Sequence, residues 1–462
     1  MENLLWNKIL AFDFDQPMSD YGFSIRLAKE NFWTINFTSE AILEYKKFMY
    51  LATTSDAMVS PSEIVDTVWH QHLIFTQSYN EFCTLLGKRI EHVPSTHNRD
   101  DFEKFKLAKE RTQQLYSAIF GEQPKEIWNF TNSYEPLNLK KSNFKIRSFL
   151  IVAILAVLFL MFPVTKLLNP VYLQIKNPLF IIGFIILITI TFLGLESYNR
   201  SRFSKLVNGW NKNLFIFNLS PFELIYMKKR NFSDVIHANV NNLIKEKNIK
   251  ISNDKKLYAG KKADFENQMQ FITYDTLESH GRLPYPLLYK FLSKKPVFTN
   301  IPNAIDAFLK YVIKSKFFAS LFVTNFIILS MVFLFGIGRY FTGISRGKPV
   351  GLLTFVLIVY FFLIVFYFFR LVVILGKEII PEYYKANIIP KKENRHKWDW
   401  SAYLIGNSVL VIAFIPLISQ AEVSNSSGSS SSGSCSSGGS SCSNGSSCGS
   451  SCGSSCGGCG GD

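Results

Sequence analysis

Cysteine is nearly missing from the body of this chain: Cys83 stands alone, and the other six all lie at or beyond Cys435. This excludes a disulfide framework or a cysteine-based zinc finger in the first 430 residues, and Cys83 reads as a buried small hydrophobe. The start, Met1-Glu2-Asn3, lacks the basic segment and apolar core of a cleavable signal peptide, so the first 148 residues are expected in the cytoplasm. Acidic residues are scarce as well, with 35 Asp plus Glu against 50 Lys plus Arg. Four long apolar runs contain no Asp or Glu at all.

Those runs are Phe149 to Leu168, Pro178 to Leu195, Phe317 to Gly336 and Val350 to Phe369. Each is close to the roughly 20 residues needed to cross a hydrocarbon core, where the backbone must satisfy its own hydrogen bonds and helices are the expected form. Ala402 to Ser419, which contains Asn407 and Pro416, is expected as a fifth span. Lys140, Lys141, Lys145 and Arg147 precede the first run, whereas the loop 169–177 holds only Lys176, which puts the N-terminus inside and that loop outside. Residues 197–316 carry 21 Lys plus Arg against 9 Asp plus Glu, a balance of +12, and are expected in the cytoplasm; residues 1–148 carry 17 against 19, or −2. The net charge of +15 is therefore membrane-proximal, and topology and anionic lipid explain it better than nucleic acid. Arg339, Arg346 and Lys348 fall in the expected outer loop between spans three and four, against the charge rule.

The N-terminal region, residues 1–135, reads as a helical domain. Ser60-Pro61-Ser62-Glu63 has the capping-box pattern and opens a helix through His72; a second helix runs from about Thr76 to Gly87 and a third from about Asn98 to Phe120. Asp66, His70, His72 and His92, with His97 further on, are the ligand types that zinc or a similar divalent ion takes. On a helix Asp66 and His70 share a face, but His70 and His72 are about 200° apart. A site therefore needs Asp66, His70 and His92, or a helix ending near His70 so that His72 swings round. Three such ligands with an open position suit metal-dependent hydrolysis. His-x-His without the intervening Glu is not the protease signature. The alternative is a helix anchored by Trp69, with histidines bonded locally and no metal.

Val65-Asp66-Thr67-Val68-Trp69-His70-Gln71-His72, then Thr76, Tyr79, Phe82-Cys83, Gly87, His92-Val93-Pro94 and Phe120-Gly121 to Ile127-Trp128, resemble the glycine-rich domain-containing protein family of plants and bacteria. The resemblance covers about residues 15–130 and implies a helical module with a histidine-containing core, without a defined activity. Many bacterial members carry a doubled histidine before the proline; here Glu91 precedes His92.

Between spans two and three, Leu219-Ser220-Pro221-Phe222-Glu223 opens a short helix, Ser233 or Asp234 can cap a second, and Ile249-Lys250-Ile251 is a short strand followed by a turn at Asn253-Asp254. This order is winged-helix-like, and the lysines around it make nucleic-acid binding a minority reading. Pro221, Glu223, Leu224 and Tyr226, together with the tail, resemble an uncharacterised family of bacterial multi-spanning membrane proteins with Gly, Ser and Cys-rich ends.

From Ser424 to Gly461 only Ser, Gly, Asn and Cys occur, a composition with no means of building a core, and disorder is expected. Cys435, Cys442, Cys448, Cys452, Cys456 and Cys459 would form disulfides outside the cytoplasm or bind soft metals inside it. The fold class expected is mainly α: a soluble helical domain, about five transmembrane helices, a small α/β insert and a disordered tail. The leading functional expectation is a non-enzymatic envelope protein, with lipid and other membrane proteins as partners, linking a cytoplasmic module to a tail outside. A metal-dependent hydrolase and a membrane-tethered nucleic-acid regulator are the alternatives.

Overall fold

The computed structural model describes residues 2–93, 99–143, 146–261, 265, 267–391, 398–406 and 410–427. The six tail cysteines and His97 lie outside them. The N-terminal module contains α1 (Glu2–Ala11), α2 (Phe23–Asn31), α3 (Ile35–Thr54), α4 (Glu63–Ile74), α5 (Thr76–Leu86), α6 (Arg99–Phe120) and α7 (Lys125–Trp128). The cap of α4 is Ser62, whose hydroxyl accepts from Val65 N at 3.2 Å; the helix thus starts two residues later than the Ser60 pattern predicts. Ser60 instead donates its N–H to Thr112 on α6. Gly87 ends α5 in the left-handed region at φ 72°, where a side chain is disfavoured. A buried carboxylate ties three helices together. Glu44 on α3 accepts from Tyr116 Oη of α6 at 2.8 Å, Trp128 Nε1 of α7 at 2.7 Å and Lys47 Nζ at 2.8 Å.

Two long apolar helices follow, α8 (Ile146–Gln174) and α9 (Asn177–Gly209). The insert comprises α10 (Pro221–Lys229), α11 (Phe232–Lys245), β1 (Ile249–Ile251), β2 (Lys256–Ala259), α12 (Gln268–His280), β3 (Leu283–Pro284), α13 (Tyr285–Leu292) and α14 (Pro296–Ile313). Its sheet is antiparallel in the order β1-β2-β3, with Lys250 opposite Tyr258 and Leu257 opposite Leu283. The capping box of α10 forms with both reciprocal bonds, as its sequence predicts. Asn231, rather than Ser233 or Asp234, caps α11, because its side chain accepts from Ser233 N. α11 is buried without a break from Val235 to Leu243, so this second helix of the helix-turn-helix order has no free face to enter a nucleic-acid groove.

Next come α15 (Lys316–Ser345), α16 (Gly351–Ile374) and α17 (Ile380–Tyr383), the last flanked by π-helical turns at Leu375–Ile379 and Tyr384–Ile388. Four helices among the described residues are long and apolar enough to cross a membrane: Ser148–Gln174, Pro178–Gly209, Lys316–Ser345 and Gly351–Lys391. They contain the four expected runs, save that Val350 stands just before the fourth helix as its cap. Lys166, inside the first, lies 5.4 Å from the Phe162 ring. Arg339 is not a loop charge: it sits inside α15, 7% exposed, and donates to the carbonyls of Tyr172 and of Ile175, the latter at 2.8 Å. Its charge serves the carbonyl end of α8, which accounts for its place against the charge rule.

The expected fifth span is not one continuous helix among the described residues. Residues 402–419 are divided between α18 (Trp398–Ile405) and α19 (Ile415–Ser427), and the 13 residues of α19 are too few to cross a bilayer. Both helices pack on the insert, α18 against α10 and α11, α19 against α13. Phe414 meets Tyr285 at 4.8 Å between rings, Tyr403 donates to Pro381 O at 3.1 Å, and Val411 N donates to Asn241 Oδ1 at 2.8 Å. Leu417, Ile418 and Ala421 are buried there. Module, insert and C-terminal helices share one core, so residue 427 lies on the same body as the module.

The module is fixed to the insert by polar contacts. Glu223 on α10 also accepts from Ile35 N, the first residue of α3, at 2.8 Å. Asn36 donates to Asn218 O at 2.8 Å, and Asn218 returns a bond to Glu40 at 2.6 Å. Lys316 N donates to Lys140 O at 2.8 Å, which joins the end of the module to the start of α15.

Candidate metal site

Helix α4 presents two opposite faces. Ile64, Val65, Val68, Trp69 and His72 point into the core, and Asp66 and His70 lie on the outer side, one turn apart. The chain after Gly87 then returns across that outer face. What holds it there is Tyr79 of α5, which donates its hydroxyl to Ile90 O and accepts from Trp69 Nε1 at 3.2 Å. Burial drives the Tyr79 hydroxyl well above its ordinary pKa, so it remains a donor.

His92 consequently falls beside Asp66. Its Nε2 is 2.9 Å from Asp66 Oδ1, while His70 Nδ1 is 3.1 Å from Oδ2 and 2.9 Å from the Asp66 carbonyl. The imidazoles of His70 and His92 are 4.4 Å apart between centroids, and the Trp69 ring lies 4.6 Å from His92. One potential ligand atom from each of Asp66, His70 and His92 lies within 4.8 Å of the others. Contacts of 2.9–3.1 Å are also near the ligand-to-ligand separations around an ion with bonds of about 2.0–2.2 Å. Two imidazoles and a carboxylate are ligand types that a divalent transition metal takes. Asp66 and His92 are largely covered, at 23% and 17% exposure, whereas His70 is 54% exposed and opens the site to solvent.

His72 does not belong to this cluster. The helix continues through Ile74, so His72 stays on the inner face, fully buried among Phe14, Phe23, Tyr45, Tyr79 and Phe82. Its Nδ1 is 2.9 Å from Tyr45 Oη and its Nε2 is 3.2 Å from Ser78 Oγ. Burial pushes its pKa down to about 3. Four histidines and acids seen in sequence thus divide into a three-residue cluster on the outer face of α4 and one neutral core histidine. The bonding of Tyr79 to Trp69 and Ile90 carried no sequence signal, since it arises from a return of the chain.

Residues 32–109 match a family model described as UCP032817-like. The matched segment contains Asp66, His70, His72 and His92, and it is a similarity of part of the module, well short of half the chain. No curated protein matches this chain, and no solved structure does.

Proposed function

We propose that this protein is a non-enzymatic, membrane-anchored metal-binding protein, its helical module holding a divalent ion at Asp66, His70 and His92 on the cytoplasmic side of a four-helix anchor. The convergence of those three side chains carries the reading. The rigid attachment through Glu223, Asn36 and Asn218 supports a role in which the state of the module is felt at the bundle. The +12 balance of residues 197–316 supports a cytoplasmic body. Under this reading the tail cysteines share the reducing compartment of the module, where thiolates are soft-metal ligands rather than disulfides.

The test is metal content. The full chain, purified in detergent with its six tail cysteines replaced by serine, is loaded with zinc, dialysed and measured by mass spectrometry. About one ion per chain is expected, lost in His70→Ala and His92→Ala and kept in His72→Gln. No retained ion, or retention in both surface variants, would overturn the proposal. A hydrolase is the second reading, favoured by the exposure of His70, which leaves room for a metal-bound water. Glu91, the neighbouring carboxylate, is exposed and paired with Arg89 at 2.8 Å, so it is not placed as a base.

A further inference from the structure

At one end of the bundle, ionisable groups of α9 meet those of the long fourth helix. Arg370 donates to Glu196 at 2.6 and 3.2 Å and contacts Glu378 at 2.9 Å. Arg200 is shared by Glu196 at 3.0 Å, Glu378 and Glu382. Two guanidinium groups face three carboxylates, which leaves one negative charge in excess. Glu382 is the least tightly paired of the three, its oxygens 3.4 and 3.5 Å from Arg200 and its side chain 60% exposed.

Glu382 opens into a groove of about 420 Å³ between α9 and the π-helical stretch. Its polar lining includes Arg200, Ser201, Ser204, Asn208, Glu382 and Asn387, over an apolar floor that includes Val207 and Ile379; Tyr383 also lines it, with Lys212 Nζ 4.7 Å from its ring. The amides are weakly committed, Asn208 to Ser204 at 3.4 Å and Asn387 to Tyr383 O at 3.3 Å. π-helical turns frequently mark functional positions, and here they form one wall.

Depth identifies the occupant's environment. About 20 residues of α9 counted from Pro178 cross the hydrocarbon, so at about 1.5 Å per residue Arg200 to Asn208 lie from about 5 to about 17 Å beyond it. The polar layer begins in that zone. On the hydrocarbon side Leu193, Phe366 and Phe369 are 66, 69 and 70% exposed, an apolar surface for acyl chains.

We propose that this groove binds the headgroup of an aminophospholipid of the phosphatidylethanolamine type. The ammonium meets Glu382, the phosphate takes the N–H and O–H donors of Ser201, Ser204, Asn208 and Asn387, and the acyl chains lie along Leu193 and the two phenylalanines. The excess carboxylate is what favours an amine over a purely anionic headgroup.

The experiment uses the full chain, delipidated in detergent, with lipid retention read by native mass spectrometry and the thermal midpoint read during titration. Phosphatidylethanolamine is compared with phosphatidylglycerol and with soluble phosphoethanolamine. Glu382→Gln and Ser204→Leu change exposed side chains outside the buried core. Tighter retention of phosphatidylethanolamine is expected, weakened about tenfold in each variant, by loss of the ammonium's counter-charge in Glu382→Gln and of a hydroxyl donor to the phosphate in Ser204→Leu. Equal or better binding of phosphatidylglycerol, an equal response to soluble phosphoethanolamine, or unchanged affinity in both variants would each overturn the proposal.

Discussion

Glu223 caps two helices at once, and removing its carboxylate tests how the module is held to the insert. Its Oε2 accepts from Ser220 N at 2.7 Å and Ser220 Oγ at 2.9 Å, closing the capping box of α10, and its Oε1 accepts from Ile35 N at 2.8 Å at the start of α3. The side chain is 1% exposed, so water has no route to replace it. Glu223→Ala orphans two buried backbone donors at about 1–3 kcal/mol each, a loss of about 4 kcal/mol. Glu223→Gln keeps one acceptor and is expected to cost about half as much. Ile35 provides a control, because it is the first residue of α3, where proline is tolerated, and Thr34 before it is extended at φ −72°, ψ 159°. In an Ile35→Pro background one of the two donors is gone, so Glu223→Ala should cost about 1–3 kcal/mol less than in the wild type. Urea unfolding of the full chain in detergent, followed by tryptophan fluorescence, measures all four corners of the cycle. A loss below about 1 kcal/mol in Glu223→Ala, or additivity with Ile35→Pro, would refute the double cap. The pH dependence has a definite sign. Burial raises the Glu223 carboxyl above its ordinary range and outweighs the donors that lower it. The folded state then binds the proton more tightly than the unfolded state, so this stabilisation is full below about pH 4.3 and is lost as pH rises through the folded pKa. The advantage of wild type over Glu223→Gln should narrow with rising pH; widening would mean that the hydrogen bonds win.

His72 gives the opposite slope. With its folded pKa near 3, the neutral form is required, so its contribution is complete above about pH 6.5 and declines by about 1.4 kcal/mol per pH unit as pH falls toward 3. His72→Gln should flatten that acid limb in the same urea assay, and an unchanged limb would show that His72 titrates freely. At Gly336 of α15 three helices approach closely: a Cβ there would stand 2.4 Å from Phe184 Cζ of α9 and 2.8 Å from Leu357 Cδ2 of α16. Gly336→Ala is expected to destabilise the bundle by about 1–3 kcal/mol, read as a lower thermal midpoint in detergent. A neutral Gly336→Ala would mean that the three helices do not pack this closely.

Local features are legible in the amino-acid sequence alone. The capping box at Ser220 and Glu223, the Gly87 stop and the strand at Ile249–Ile251 depend on residues within four positions of one another, and each forms as its pattern indicates. The Ser60 cap is displaced because Ser60 finds a partner 52 positions away, Thr112, leaving Ser62 to serve α4. The two faces of α4 are likewise legible from helical geometry. The arrival of His92 is not, because it depends on Tyr79 holding the chain at Ile90.

What the sequence by itself determined is the set of elements: four apolar helices long enough for a bilayer, a helical module with metal-ligand residue types, and a basic insert. Tertiary structure decided which environment each apolar or charged group enters. The stretch 402–419 is apolar enough for lipid, yet Ala402, Tyr403, Phe414, Leu417 and Ile418 are buried against the rest of the protein, since removal from water is favourable in either place and composition does not distinguish them. Arg339 reads as a loop charge until the carbonyls of Tyr172 and Ile175, at the end of α8, are brought to it. Asp66, His70 and His92 become one site, and His72 a core residue, only when separated segments meet.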